Sequence, residues 1–303
     1  LTNSDLYLEL QRSMKCPVCI QEPMSKHTSW RIGGPADLLL KPRSEQDLRQ
    51  ALIYARQHGL PVTVIGNGTN LLVADQGVRG IVIKIGAGLA DIEVRDQMIY
   101  ARAGTPLHLL ARKAMQAGLA GFEFLAGIPG TVGGALVMNA GANGYAIGEL
   151  VRLVTACDYA GNGYTFKAQE LTFSYRHSSL AHMNIIVTGA VLQGKPDTAE
   201  EIKNRMELAL AWRRQVQPLE YPNAGSVFKN PPDESAGRLI EQAGCKGMRV
   251  GNIQVSPRHA NFIVNLGGGT ARDVLEIVEK VQCIVEKKFG IKLVLEVQKL
   301  GEF

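Results

Sequence analysis

Between residues 127 and 144 the chain reads Gly-Ile-Pro-Gly-Thr-Val-Gly-Gly and then, after a short apolar stretch, Asn-Ala-Gly-Ala-Asn-Gly, which puts six glycines in eighteen positions. A glycine in the interior of a helix or strand weakens it by roughly 0.5–1 kcal/mol, because it has the most backbone freedom to lose. The density predicts a segment that is neither a helix nor a central strand. Close approach of backbone to a large flat or phosphorylated ligand would explain it. A second glycine turn, Gly66-Asn67-Gly68-Thr69-Asn70, follows residues 60–65, which read as a strand. Exposed N–H groups in such a turn suit an anionic phosphate oxygen. The turn is not a Rossmann fingerprint: Leu71 stands where the third glycine belongs, and the following residues 78–85 read as a strand rather than a helix.

Helix punctuation organises the rest. Ser44 before Glu45 and Asp47, apolar residues at Leu48, Leu52 and Ala55, and Gly59 at the end predict a capped amphipathic helix. A second is expected from Thr105 as cap and Pro106 at its first position, ending at Gly118. A third spans residues 198–215, with Thr198 and Glu201 forming a capping box. Thr270 and Asp273 open a fourth, whose Val274, Ile277, Val278, Val281 and Val285 form one face before Gly290. Residues 78–85, 98–103, 151–158, 184–192 and 291–297 read as strands. Clustering of strands as hairpins, beside helices, favours an α+β fold over a regularly alternating doubly wound sheet. Gln193 to Asp197 is the best candidate domain boundary.

A chain of 303 residues is long enough for two domains. Its net charge of +5 comes from scattered Lys and Arg, without a basic tail or an aromatic-interleaved stripe. That argues against nucleic acid as a partner and fits a small anionic ligand better. The first 24 residues carry Asp5, Glu9, Arg12 and Lys15 between short apolar runs, unlike a signal peptide or a membrane span. A cytoplasmic location is expected. Cys16-Pro17-Val18-Cys19 has CxxC spacing, but no second pair follows at a distance suited to zinc, and no metal is expected. Cys157, Cys245 and Cys283 read as small core residues.

Five motifs taken together carry a resemblance. They are His27 to Asp37 (HTSWRIGGPAD), Gly66 to Leu72, Gly127 to Gly134 with Asn139 to Ala142, Ser174-Tyr175-Arg176, and Pro222 to Pro231 (PNAGSVFKNP). In that order they resemble the UDP-N-acetylenolpyruvoylglucosamine reductase family, over nearly the whole chain beyond residue 25. The compact segment from Arg213 to Pro231 is similar to the family's shorter form, which lacks an inserted tyrosine loop. The resemblance implies a two-subdomain FAD-binding fold of the vanillyl-alcohol oxidase type followed by a separate α+β substrate domain. Mapped here, residues 1–24 are an extension, 25–194 the FAD-binding domain split near residue 86, and 195–303 the substrate domain. FAD is implied as cofactor, NADPH as co-substrate, and a nucleotide sugar as substrate, with no obligate protein partner.

The same resemblance implies site residues. FAD contacts fall to Gly66, Asn67, Gly68, Thr69, Asn70, Leu71, Gly127, Ile128, Pro129, Gly130, Thr131, Gly133, Gly134, Asn139, Ala140 and Gly141. Ser226 matches the proton donor, Arg176 and Glu296 the pair that assists the substrate carboxylate and the developing enolate, and Tyr175, Lys229 and Asn230 positions near substrate. Taken alone, Ser226 in Asn-Ala-Gly-Ser is ordinary turn chemistry, and Arg176 and Glu296 read as surface charges. Val294 and Gln298 depart from the charged residues usual on either side of Glu296. His259 reads as structural. Two other readings stand beside this one. A flavin-dependent alcohol or sugar oxidase of the same fold would reoxidise rapidly in oxygen, although the glycine loops hold no His or Cys for covalent flavin attachment. A non-catalytic flavin or nucleotide-sugar scaffold would be indifferent to Ser226→Ala.

Overall fold

The computed structural model describes residues 3–303; Leu1 and Thr2, the start of the expected extension, lie outside the described residues. The chain divides into two compact units. The first comprises residues 1–20, 38–67 and 80–212, and the second 21–37, 68–79 and 213–303. The second unit thus takes two segments from the first third of the sequence, an exchange that no composition shift announces.

The first unit is built on two sheets. One is four-stranded, in the order Val18–Pro23, Pro35–Leu40, Val78–Lys84, Val62–Ile65, and its last pair is parallel, with Ile65 opposite Lys84. The other is five-stranded and antiparallel, in the order Gly163–Lys167, Val151–Asp158, Ile185–Gln193, Met98–Arg102, Ile92–Arg95. Helices α1 (Asn3–Ser13), α2 (Glu45–Gln57), α3 (Leu107–Gln116), α4 (Val132–Met138) and α5 (Ala199–Val216) complete it. The apolar faces of α2 (Leu48, Ala51, Leu52, Ala55) and α3 (Leu107, Leu110, Ala111, Ala114) enter one core with Leu38, Leu40, Ile81, Ile83, Val154 and Leu192. Helix α1 joins that core through Leu6, Tyr7 and Leu10, so most of the expected extension is an integral layer.

Several local expectations hold. Ser44 accepts the Asp47 N–H at the start of α2; before α5 the expected box is half made, with Thr198 accepting the Glu201 N–H at 3.3 Å while its own N–H bonds Asp197 Oδ1 at 2.7 Å. Thr105 does not cap α3. Its hydroxyl is occupied by Asp91, accepting that residue's N–H at 3.2 Å and donating to its carbonyl at 2.9 Å, so Pro106 takes the cap position without a side-chain bond. The glycine-dense run also departs from expectation by containing α4. Thr131 caps it, and a Cβ on Gly133 would come within 2.9 Å of Ala103 Cβ. Glycine there lets the helix start lie against Ala103, just past strand Met98–Arg102, a packing reason internal to the chain.

The second unit holds a four-stranded antiparallel sheet in the order Asn223–Ser226, Phe262–Asn265, Ile253–Val255, Arg249–Val250, with α6 (Ala236–Gln242) and α7 (Ala271–Phe289). Helix α7 carries the expected box of Thr270 and Asp273, and Gly290 closes it at φ 68°. Asp75 adds a second anionic cap, accepting the N–H groups of Ala271 at 2.8 Å and Arg272 at 3.1 Å, a favourable placement at the positive end of a helix. Val274, Ile277, Val278, Val281 and Val285 are all buried, each such side chain contributing about 1.5–3 kcal/mol. Trp30 is fully buried among them and donates Nε1–H to the Ile263 carbonyl at 2.8 Å. The strand expected at residues 291–297 is instead a single bridge, Leu295 to Phe228, followed by Gln298–Leu300 pairing in parallel with Leu71–Val73. The facing segment cannot extend the ladder past Asn230, because Pro231 and Pro232 have no N–H to give.

Cys157 and Cys245 are buried as expected, whereas Cys283 is exposed on α7. Burial pushes the Cys16 thiol up to about 11, the opposite of the lowered value that activates a redox CxxC thiol. No described helix is long and apolar enough to cross a membrane.

Candidate functional site

The turn after strand Val62–Ile65 keeps its amides open. Among the described residues, no protein acceptor takes the main-chain N–H of Gly66, Asn67, Gly68 or Thr69. A run of free donors of this kind is what a pyrophosphate accepts from. Gly66 has a second constraint, since a Cβ there would sit 2.7 Å from Thr131 Oγ1. Thr131 therefore brings the 127–134 segment onto this turn, joining two stretches that the sequence separates by some sixty residues. The first amides of α4 are already engaged: Val132 N–H bonds the Thr105 carbonyl, Gly133 N–H the Ala103 carbonyl, and Gly134 N–H the Thr131 hydroxyl. The unengaged amides are therefore those of the turn at 66–69 rather than those of the helix start.

Two residues expected to touch FAD have their side chains committed elsewhere. Asn139 ends α4 in the left-handed region at φ 44°, is buried, and donates Nδ2–H to the Ser174 carbonyl at 2.7 Å while its Oδ1 accepts the Gly148 N–H at 3.0 Å. It thereby anchors the hairpin of Phe173–Ser174 and His177–Ser178, whose two-residue tip is Tyr175-Arg176. Asn70 donates Nδ2–H to the Glu296 carbonyl at 3.1 Å, and its own carbonyl accepts the Gln298 N–H at 3.0 Å. Gln298 Nε2 donates to the same Glu296 carbonyl at 3.2 Å, so the departure from a basic residue there supplies a further tether.

Arg176 belongs to the first unit. It adopts φ 51°, a region that non-glycine residues avoid, and its guanidinium lies 5.2 Å from the Tyr175 ring centre. A tight turn with positive φ at its second central residue calls for this conformation, and Asn139 holds the hairpin at Ser174 beside it.

Ser226 and Glu296 belong to the second unit and are brought together there. Ser226 ends strand Asn223–Ser226, whose pairing shifts register against Phe262–Asn265 between Asn223 and Ser226. Gly225 supplies φ 76° at this bulge, and Asn223 Oδ1 accepts the Gly225 N–H at 3.0 Å. A bulge re-aims the side chain that follows it. What read as turn chemistry is a strand with an inserted residue. The Ser226 hydroxyl has no protein partner among the described residues and is half-buried, free to meet a ligand. On its open side, Glu296 donates its N–H to the Val227 carbonyl and Lys229 its N–H to the Val294 carbonyl, each at 2.8 Å.

The substrate-side residues divide. Lys229 is half-buried without an ion-pair partner among the described residues, as a ligand-facing ammonium would be. Asn230 uses Oδ1 to accept the Ala236 N–H at 3.0 Å, which caps α6 and assigns that oxygen a local task. His259, in the same unit, has its ring pKa lowered by burial, with Nδ1 accepting the Asn261 N–H at 3.3 Å. The structure adds Asn261, which the sequence alone did not single out.

Comparisons with known proteins match the chain in two stretches and over nearly its whole length. Residues 36–163 match the family profile described as FAD binding domain, and residues 217–300 that described as UDP-N-acetylenolpyruvoylglucosamine reductase, C-terminal domain. The chain is 49% identical over 294 residues to the UDP-N-acetylenolpyruvoylglucosamine reductase of Moorella thermoacetica, covering 97% of each chain. It is 49% identical over 283 residues to that of Heliobacterium modesticaldum, covering 93% of this chain and 90% of the other. A crystal structure of the Thermus caldophilus reductase superposes with a TM-score of 0.81 at 37% identity, covering 95% of this chain and all of the other.

Proposed function

Since the chain belongs to the UDP-N-acetylenolpyruvoylglucosamine reductase family, a flavoprotein family that uses FAD and NADPH, we propose how its own residues divide the work of reducing the enolpyruvyl ether of UDP-N-acetylglucosamine to UDP-N-acetylmuramate. The residues fit FAD: the open amides of Gly66 to Thr69 would hold its pyrophosphate, with the 127–134 segment and the 139–141 turn beside them. The chemistry FAD supplies when bound is hydride transfer, from NADPH to N5 and from N5 to the terminal methylene carbon of the enolpyruvyl group.

Addition of a hydride there breaks the carbon–carbon π bond and leaves an electron pair on the neighbouring carbon, delocalised into its carboxylate. Arg176 binds that carboxylate, its planar fork meeting two oxygens at once and gaining strength as charge accumulates. Ser226 gives the hydroxyl proton to the carbanionic carbon and recovers one from solvent. A hydroxyl is a weak acid, and its competence rests on fixed placement more than on acidity. Glu296 assists the developing enolate from the segment paired with Val227. Lys229 meets the diphosphate or the dinucleotide as a half-buried cation, and Tyr175 and Asn230 lie with substrate. We place the reaction in the cytoplasm, where dissolved NADPH and nucleotide sugar meet, with residues 195–303 as the substrate-binding portion.

The observation that carries this reading is the Ser226 hydroxyl, without a partner among the described residues, on a bulged strand whose next residue bonds Glu296. Its test is spectroscopic and anaerobic. The yellow protein should bleach with NADPH and regain colour when UDP-N-acetylglucosamine enolpyruvate is added. A protein that bleaches and recolours only on admitting oxygen would be acting as an oxidase.

A further inference from the structure

Strand Asn223–Ser226 stops pairing with Phe262–Asn265 at Ser226, yet the two residues beyond it remain hydrogen-bonded on that side. Val227 N–H bonds the main-chain carbonyl of Asn261 at 2.9 Å. For Phe228 the Asn261 side chain takes over: Oδ1 accepts the Phe228 N–H at 2.9 Å and Nδ2 donates to the Phe228 carbonyl at 2.8 Å. A side-chain amide thus stands in for a strand, meeting both polar groups of one peptide residue. Asn261 is 4% exposed and Phe228 1%, so neither bond can be replaced by water.

The consequence reaches both candidate catalytic groups of this unit. Phe228 bridges Leu295 on its other side, and the Val227 carbonyl accepts the Glu296 N–H. Whatever fixes Val227 and Phe228 therefore fixes the spacing between Ser226, one residue before them, and Glu296, across from them. We propose that Asn261 is a positioning residue for the protonation step, holding Ser226 and Glu296 at their working separation through the Val227–Phe228 backbone. It does for Ser226 what Asn139 does for the Arg176 hairpin and Asn70 for the Glu296 carbonyl. His259 completes the clamp by accepting the Asn261 N–H on Nδ1, in a ring whose burial favours the neutral form that leaves this nitrogen free to accept.

The inference rests on Ser226 as proton donor, and the test separates the two. Asn261→Asp keeps the shape and the acceptor toward the Phe228 N–H but turns the donor facing the Phe228 carbonyl into an oxygen. Asn261→Ser is the second variant should the buried carboxylate prevent folding. In the FAD-loaded protein, stopped-flow absorption follows bleaching by NADPH and recolouring by the enolpyruvyl substrate, and hydrogen exchange follows the Phe228 amide. Bleaching is expected at the wild-type rate, with recolouring slowed by ~10²-fold, the scale of an ångström's misplacement. Exchange at Phe228 rises, and in a Ser226→Ala background the Asn261 change costs nothing further in the protonation step, because one of the two groups whose separation it sets is gone. Equal slowing of both half-reactions with a matching fall in Tm would show a purely structural role and overturn the proposal. So would wild-type recolouring despite a freely exchanging Phe228 amide. If Ser226→Ala alone recolours at the wild-type rate, the functional reading fails and takes this inference with it. A loss in Ser226→Ala with none in either Asn261 variant overturns the inference alone.

Discussion

Glu296 donates its main-chain N–H to the carbonyl of Val227 at 2.8 Å, the residue immediately after Ser226. A backbone bond between two segments some seventy residues apart therefore sets where a carboxylate and a hydroxyl stand. Neither side chain bonds the other to achieve this. The placement belongs to the sheet, and side chains of asparagine hold its ends.

Asn70 is the first of these to test. Its Nδ2 bonds the Glu296 carbonyl, so Asn70→Ala should lower kcat even when FAD is saturating, by ~10-fold, a fraction of the loss expected for a full ångström of displacement. If added FAD restores full turnover, Asn70 acts on cofactor affinity alone.

Arg176 sets stability against activity. At φ 51° a glycine is more comfortable than an arginine, by about 1 kcal/mol. Arg176→Gly is expected to raise or preserve Tm while recolouring by substrate collapses. Arg176→Lys should also be poorly active, because an ammonium cannot grip two carboxylate oxygens in a fork. A lysine variant with wild-type turnover would remove the bidentate role.

The glycines are not equivalent. A Cβ at Gly68 would lie 2.1 Å from the His27 carbonyl oxygen at φ 66°, whereas Gly144, at φ 84°, has nothing within 4 Å. Gly144→Ala should cost about 1 kcal/mol from its backbone conformation alone. Gly68→Ala should cost several times more and release FAD, since backbone must move at the open amides. Comparable Tm losses in the two variants would contradict this.

His259 predicts an acid limit. Burial lowers its pKa from the ordinary 6.5, helped by Lys246 and opposed by its own backbone hydrogen bond and by Glu241. The unfolded chain therefore binds this proton more readily, so the stabilisation is complete above that ordinary value and is lost as pH falls toward the lowered one. Between about pH 7.5 and about pH 5.5, wild type should lose more Tm than His259→Asn, whose Oδ1 can accept in place of Nδ1 without titrating. Parallel losses would assign the acid limit to other groups.

How much of this was legible in the sequence depends on range. Helix α7 was readable to its caps because Thr270, Asp273, Gly290 and the valine-rich face all lie within one stretch. The α+β class and the three central strands of the five-stranded sheet followed from patterns of the same local kind, while its edge strands Ile92–Arg95 and Gly163–Lys167 did not. Thr105 misled because its hydroxyl bonds Asp91, fourteen residues back, and the Leu295 bridge was hidden because strand length was set by Pro231 and Pro232 in another segment. The site shows the same divide. Ser226, Arg176 and Glu296 could be named from motifs, but the committed side chains of Asn70 and Asn139, and the whole role of Asn261, depend on contacts between segments 33 to 226 residues apart. An asparagine in a strand or turn gives no local sign of which distant carbonyl it will meet.

The most direct measurement is the anaerobic recolouring rate of NADPH-reduced Ser226→Ala on mixing with UDP-N-acetylglucosamine enolpyruvate. With the hydroxyl gone and the rest of the site intact, bleaching by NADPH should match wild type and recolouring should fall by ~10²–10⁴-fold, the range for loss of a general acid. Recolouring at the wild-type rate would show that the proton comes from elsewhere and that the bulged strand carrying Ser226 does not perform the protonation.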